Sequence, residues 1–330
     1  MAALKMHVLV VTCAVVSNSA GTENRAFYPS ALDWVTERTP DDCIGSLIRA
    51  AEQHGITEVH IGLQLSDGFM NASWRLDRAD GLRFLAKAGQ QAIDVARELH
   101  SRYGSSPVFK GMYDSNEIND VSWSTTHHNG FNGTQWYEPW LQLYLQPLHA
   151  EVQRLGYVGS NAPYFCHDGV VAEWGPAALA EFYHRLLTRV PHLQVLWVQD
   201  CVGVSTRYVP GSGTFYHTPE MVVPYYKALA SRLATLRPSR ELWSDTEIFE
   251  YANCTGVSNG VYENCSDVAG GIQRVRQQLE LEAPFVTGSV SFSWRYLSPF
   301  RWPWSLDASA GKLYAQYSRY IGRNRGTEER

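Results

Sequence analysis

Apolar residues are distributed along this chain in two alternating rhythms. Short apolar runs occupy His7–Thr12, Glu58–Leu63, Val108–Tyr113, Gly156–Asn161, Gln194–Gln199, Glu241–Phe249 and Ser289–Ser293. Their length and their content of Val, Ile, Leu and Trp predict buried β-strands. Between them, apolar residues recur at helical spacing. Pro40–His54 carries Ile44, Leu47, Ile48 and Ala51, and Gly81–Tyr103 carries Leu82, Leu85, Ala92, Val95, Ala96 and Leu99. Further helices are predicted over Gln135–Leu155, Pro176–Val190, Pro219–Leu236, Asp267–Leu281 and Ala308–Ile321. Pro176, Pro219 and Asp267 each suit a helix start.

A strand followed by a helix, repeated, predicts parallel β/α units. Seven such repeats follow one another without a break in composition, and eight would close a TIM barrel. The expected fold class is therefore α/β, a TIM (β/α)8-like barrel with seven of its eight strands in this chain. A single domain is expected over residues 1–330, with a polar tail at 322–330. An open doubly wound sheet is the second choice. No G-x-G-x-x-G follows any strand, so its nucleotide-binding version has no support.

Composition narrows the partners. Hydrophobic residues make up 45% and charged residues 18% of the 330, which is enough apolar material for a large core. With 28 basic residues against 33 acidic ones, there is no electrostatic footprint for a nucleic acid or a polybasic membrane contact. No apolar run reaches the roughly 20 residues of a membrane span. Aromatic content is high, with 11 Trp and 18 Tyr, and such rings stack on sugars as readily as they fill cores.

The six cysteines form no C-x-x-C pair, which argues against a structural zinc site. Cys254 and Cys265 share one Asn/Gly/Ser-rich stretch and can pair in an oxidising compartment. N-x-S/T sequons start at Asn71, Asn132, Asn253 and Asn264. Together these features lean towards the secretory route, a secreted glycoprotein. Residues 1–20 allow two readings. Lys5, the apolar run Met6–Val16 and the small residues Ser17, Ser19 and Ala20 fit a signal peptide. Alternatively His7–Thr12 is a buried strand, which is the preferred reading.

In parallel β/α barrels the chemistry sits at the carboxyl ends of the strands. The polar residues there are Asp114, Asn116, Glu117 and Asp120, then Ser160, Asn161, His167 and Asp168. Gln199 and Asp200, Asp245 and Glu247, and Trp294, Arg295 and Tyr296 follow at the later strands. Acidic groups spread over several units are what a site assembled from several strands requires.

In their order along the chain, five stretches resemble a TIM-barrel family, the domain of unknown function numbered 4434, regarded as glycosidase-like. They are Tyr28-Pro29-Ser30, FKGMYDSNEIND (Phe109–Asp120), VLWVQDCVGV (Val195–Val204), LWSDTEIFE (Leu242–Glu250) and SFSWRYLSP (Ser291–Pro299). The family shows an aromatic residue where Met112 stands and a glycine where Cys201 stands. It also begins with a strand and helix not found here, so that His7–Thr12 corresponds to its second strand and the chain lacks a first β/α unit. Counted that way, Glu117 ends strand four and Glu247 ends strand seven. This is similar to the retaining glycosidases built on the same barrel, where an Asn-Glu pair on strand four supplies the acid/base and a Glu on strand seven is the nucleophile. The pair here reads Asn116-Glu117.

Cleaving an acetal needs one carboxyl to protonate the leaving oxygen and a second to attack or to activate water. Glu117 is accordingly the candidate general acid/base and Glu247 the candidate nucleophile. Asn116, Asp200, Asp245 and Tyr296 are candidate sugar-binding residues, with Trp294 as a stacking face. Structural explanations compete with each: strand-end carboxylates also hold Arg side chains and backbone amides. Trp123, Trp136, Trp140, Trp302 and Trp304 lie in or beside predicted loops, and Trp197 and Trp243 in strands, where packing is the simpler role. His127-His128 has the wrong spacing for two ligands on one helical face. The mechanism requires no cofactor or metal, and its partner is a glycan. A non-catalytic carbohydrate-binding barrel is one alternative. The other is a metal-dependent hydrolase using Asp114, Asp120, His167, Asp168 and Asp200. The absence of G-x-S-x-G, H-E-x-x-H and P-loop motifs weighs against an esterase of that class, a zincin and an NTPase.

Overall fold

The computed structural model describes residues 6–18, 22–66, 69, 78–119, 134–164, 174–203, 206–209, 213–216, 218–252, 256–258, 261–263, 266–293, 296 and 309–324. Among them, seven strands form one sheet in sequence order: β1 (Val8–Val11), β2 (Glu58–Gly62), β3 (Phe109–Asp114), β4 (Val158–Asn161), β5 (Leu193–Gln199), β6 (Glu241–Glu247) and β7 (Gly288–Phe292). The pairs β1–β2, β2–β3, β3–β4, β4–β5 and β6–β7 are parallel. Parallel neighbours need crossover connections, and helices supply them: α1 (Cys43–Gln53), α2 (Arg78–Tyr103), α3 (Thr134–Trp140), α4 (Gln146–Arg154), α5 (Pro176–Arg189), α6 (Pro219–Leu233) and α7 (Ile272–Glu282). A last helix, α8, spans Ser309–Asn324. This is the TIM-barrel-like α/β repeat expected from the apolar pattern. The run at His7–Thr12 is indeed a strand, with Val8–Val11 paired to Glu58–Ile61.

The chain divides into two compact units. The first comprises residues 1–163, 182–196 and 235–240. Its core is built by α2, whose Leu85, Ala88, Ala92, Val95, Ala96 and Leu99 are buried. These recur at three- and four-residue intervals and so form one helical stripe. Val59, Ile61 and Met112 of β2 and β3 are also buried. In α1, Ile44, Ile48 and Ala51 are buried as expected, but Leu47 is 41% exposed and stands outside the stripe. The second unit comprises 164–181, 197–234 and 241–330. It buries Trp197, Val198, Tyr226, Leu229, Leu242, Phe249 and Val275.

Three predicted elements differ in detail. The helix over Gln135–Leu155 is three pieces, with a π-helical turn at Leu141–Leu145 between α3 and α4. Pro139 and Pro147 each remove a backbone donor from the α-helical ladder, which explains the break. The strand over Glu241–Phe249 stops at Glu247. Phe249–Ala252 instead pairs antiparallel with Ser266–Ala269. That second pairing also moves the start of α7: Asp267 lies in a strand, and the helix begins after Gly270-Gly271, at Ile272.

Candidate active-site residues

In the first unit, the carboxyl ends of the strands carry a buried polar network centred on Asp114, the last residue of β3. Asp114 is 1% exposed. Its Oδ1 accepts the Tyr144 hydroxyl at 2.7 Å and the Asn116 backbone N–H at 3.1 Å, and its Oδ2 accepts Asn161 Nδ2 at 3.2 Å. Burial pushes the Asp114 carboxyl up to about 6, against the lowering pull of these donors. Asn116 is wholly engaged within the protein. Its Nδ2 donates to the Gln64 carbonyl (3.0 Å) and to the Tyr144 oxygen (2.7 Å), and its Oδ1 accepts the Ser66 N–H (3.0 Å). The network runs on through Gln64, which donates to Ser17 at 2.7 Å. Asn116 therefore fixes the chain that carries Glu117, whereas the sequence had pointed to it as a sugar-binding residue. Glu117 itself is exposed, three residues beyond the end of β3.

In the second unit, Glu247 is the last residue of β6 and only 4% exposed. Its Oε2 accepts the backbone N–H of Gly203 at 2.8 Å. Its backbone N–H donates to Asp200 Oδ1 at 3.2 Å, and its carbonyl accepts Arg274 at 3.0 Å and Gln278 at 3.3 Å. Gly203 is where the approach is tightest: a Cβ there would lie 2.5 Å from the Phe249 carbonyl oxygen and 2.9 Å from Glu247 Oε2. Asp200 is 0% exposed. Besides Glu247, it accepts the Val202 N–H at 3.1 Å and the Gln278 side chain. Burial raises its carboxyl above the usual range, while those donors and Arg274 oppose the rise. Asp245 is partly buried on the same strand as Glu247.

Two further side chains complete this cluster and were not singled out by the sequence. Glu282, the last residue of α7, is 0% exposed, and so is Gln278 one turn before it. Burial, and then the neighbouring Asp200, push the Glu282 carboxyl up to about 10. The sequence signal is faint: Val275, Gln278 and Glu282 make a helical stripe whose last two members are polar.

Aromatic side chains border Glu247. Phe292 is its register partner on β7 and is 44% exposed. Phe249 meets the Phe292 ring edge-on at 6.0 Å and stacks on Tyr296 at 5.2 Å. Tyr296, 3% exposed, is a packing partner of Phe249, and among the described residues the exposed ring at this place is Phe292. Trp136 and Trp140 are buried in α3, which takes them out of any loop. Trp123, Trp294, Trp302, Trp304, His127, His128, Asp120, His167, Asp168, the four sequon asparagines, Cys254 and Cys265 lie outside the described residues. Cys201 is disulfide-bonded, and Cys13 and Cys43 are free. Among the described residues, no group of three or more His, Cys, Asp or Glu is placed to hold a metal ion, and no helix is long and apolar enough to cross a membrane.

The family profile described as "Domain of unknown function (DUF4434)" matches residues 1–302. The chain belongs to the DUF4434 family. Comparison with curated protein sequences finds no match. Among solved structures, this DUF4434 chain resembles one from Bacteroides thetaiotaomicron described as a candidate alpha-L-fucosidase. The TM-score is 0.67 at 13% identity, over 96% of this chain and 82% of that one. A family 18 chitinase from Crocus vernus aligns with TM-score 0.43 at 10% identity, over 99% and 91% of the two chains. A family 5 glycoside hydrolase from Bacteroides vulgatus gives 0.43 at 12%, over 88% and 52%. The first of these shows that the DUF4434 chain has a fold found among glycosidase-like TIM barrels.

Proposed function

We propose that this protein is a glycoside hydrolase acting by the two-carboxylate retaining mechanism, with Glu117 as general acid/base and Glu247 as nucleophile. The observation that carries the proposal is the setting of Glu247. It ends a parallel strand, where barrel chemistry resides, and its side chain is fixed by a backbone N–H. The hydrogen bond from Gly203 holds the carboxylate in one orientation, as a nucleophile requires. Phe292 beside it offers an exposed aromatic face of the kind that stacks on the apolar side of a sugar ring. In the first step the Glu247 carboxylate attacks the anomeric carbon while Glu117 gives its proton to the leaving oxygen. In the second, Glu117 takes a proton from water, which displaces Glu247. The disulfide at Cys201 and the sequons fit secretion into an oxidising compartment.

The test is a panel of aryl glycosides and plant and microbial polysaccharides, scored by released phenol or reducing ends. Wild type is expected to turn over at least one. E247Q and E117Q should each lose at least about 100-fold in kcat with an unchanged circular dichroism spectrum. F292A should raise KM more than it lowers kcat. Glycan binding without release by wild type would favour the carbohydrate-binding alternative instead.

A further inference from the structure

We infer that Arg274, in the first turn of α7, is the positioning residue that sets the strand end bearing Glu247, acting together with Gln278 and Asp200. The kinetic part of this inference rests on the glycosidase reading of Glu247; the geometric part does not. Glu247 stands where the chain changes partner. Up to Glu247 it pairs with β7, and from Phe249 it pairs antiparallel with Ser266–Ala269. Arg274 spans that change. Its Nη1 donates to the Glu247 carbonyl at 3.0 Å, and its Nη2 donates to the Phe249 carbonyl at 2.6 Å. A guanidinium holds its N–H groups in a rigid planar fork, so binding both carbonyls fixes the path of the backbone between them. The Arg274 Nε lies 3.6 Å from the Glu250 carboxylate.

Gln278 sits one turn further along α7. Its Oε1 accepts Arg274 Nη1 at 3.0 Å, while its Nε2 donates to the Glu247 carbonyl at 3.3 Å and to Asp200 Oδ2. The other Asp200 oxygen, Oδ1, accepts the N–H of Glu247 at 3.2 Å and that of Val202 at 3.1 Å. Both backbone polar groups of Glu247 are therefore held by one connected set of side chains. The same set holds Val202, the residue before the Gly203 that donates to the Glu247 carboxylate. Asp200, 0% exposed, serves this set and has no face for a sugar.

Two features separate this arrangement from a by-product of helix formation. Arg274 is the third residue of α7, where a cation is opposed by the helix dipole, so the acceptors on the strand set its place. Gly270 also leaves room for it. A Cβ at Gly270 would overlap Arg274 Nη2, and the guanidinium, the end of a long side chain, is what would have to move.

Three variants test the role. R274M removes the fork. R274K keeps the charge but offers one nitrogen to two carbonyls. G270A leaves Arg274 in the chain and drives a methyl group against its Nη2. With a hydrolysed glycoside, R274M and G270A should each lose about 10- to 100-fold in kcat, with KM changed less than about three-fold because Phe292 is carried by β7. R274K should recover part of the R274M loss. Circular dichroism spectra should match wild type, and a crystal structure of R274M should show the Gly203–Glu247 hydrogen bond broken. Should R274M fail to fold, G270A and R274K carry the same kinetic and crystallographic test. Undiminished kcat in R274M and G270A, or an effect on KM alone, would overturn the positioning role. If wild type turns over no glycoside, the glycosidase reading fails by itself and crystallography decides the inference: an intact Gly203–Glu247 contact in R274M would overturn it.

Discussion

Tyr144 gives its hydroxyl proton to Asp114 at 2.7 Å while its oxygen receives an N–H from Asn116, also at 2.7 Å. A residue of the π-helical turn thus ties together the end of β3 and the residue before Glu117. Y144F leaves a buried acceptor on Asp114 and a buried donor on Asn116 without that partner. Each orphaned group costs about 1–3 kcal/mol, so Y144F should unfold at clearly lower urea concentration with an unchanged m-value.

The same carboxyl predicts a pH response. Asp114 holds its proton in the folded protein up to about 6, above its ordinary 3.8. Its contribution to stability is present below about pH 4 and is lost as pH rises through 6. Because the Tyr144 hydroxyl opposes the rise, Y144F should move this window to higher pH. Urea titrations of both proteins between about pH 4 and pH 8 would show it, and superimposable pH profiles would refute the coupling.

Glu98 holds the Tyr28-Pro29-Ser30 stretch in place. One carboxylate of α2 accepts the Tyr28 hydroxyl (2.8 Å), the Ser30 hydroxyl (2.7 Å) and the Ala31 N–H (2.6 Å). Burial opposes its ionisation, but these donors and Arg102 outweigh it and hold the carboxyl below its ordinary value. Its stabilising effect is present above about pH 4.5 and lost on further acidification. E98Q turns an amide N–H towards one of three donors and should cost about 1–3 kcal/mol at neutral pH, read by thermal melting.

His149 of α4 is 1% exposed, and among the described residues neither ring nitrogen has a hydrogen-bond partner. Burial, helped by His192, pulls the ring down to about 3, so folding requires it neutral. The unfolded chain binds a proton below about pH 6.5 and the folded one does not, so stability falls as pH drops from there towards 3. H149M should be at least as stable as wild type at neutral pH and distinctly more resistant to acid unfolding. Equal acid midpoints would show that the ring is not what yields.

Gly203 is predicted to be intolerant of even one carbon. G203A drives a Cβ against the Phe249 carbonyl and the Glu247 carboxylate, both of which must shift. The expected result is a fall in kcat of about 100-fold with a melting temperature lowered by only a few degrees. A variant with wild-type kcat would dissociate this loop from the chemistry.

Much of this was legible in the sequence because it depends on local apolar pattern. All seven sheet strands coincide with predicted runs to within about two residues, and α5 starts at Pro176 and α6 at Pro219 as expected. What the pattern missed are elements defined by backbone pairing. Phe249–Ala252 and Ser266–Ala269 hold each other through backbone ladders, and nothing in their side chains announces a hairpin partner. The break in the helix after Trp140 needed attention to Pro139 and Pro147 over a continuous apolar stripe. For the candidate site, the strand-end positions of Glu247 and Asp200 were legible, and their hydrogen-bond partners were not. Asp200 and Asn116 read as sugar ligands because both are polar and sit at strand ends. Their inward hydrogen bonds depend on Gln278 and Tyr144, brought close only by helices packing on the sheet.

The most direct test is to identify the residue that bonds to sugar. Once a hydrolysed glycoside is found, the matching 2-deoxy-2-fluoro glycoside with an activated leaving group should inactivate the protein in a time-dependent manner. Peptide mass spectrometry should then find the sugar on Glu247, with no labelling of E247Q. Label on another carboxylate, or hydrolysis by E247Q at the wild-type rate, would contradict the account.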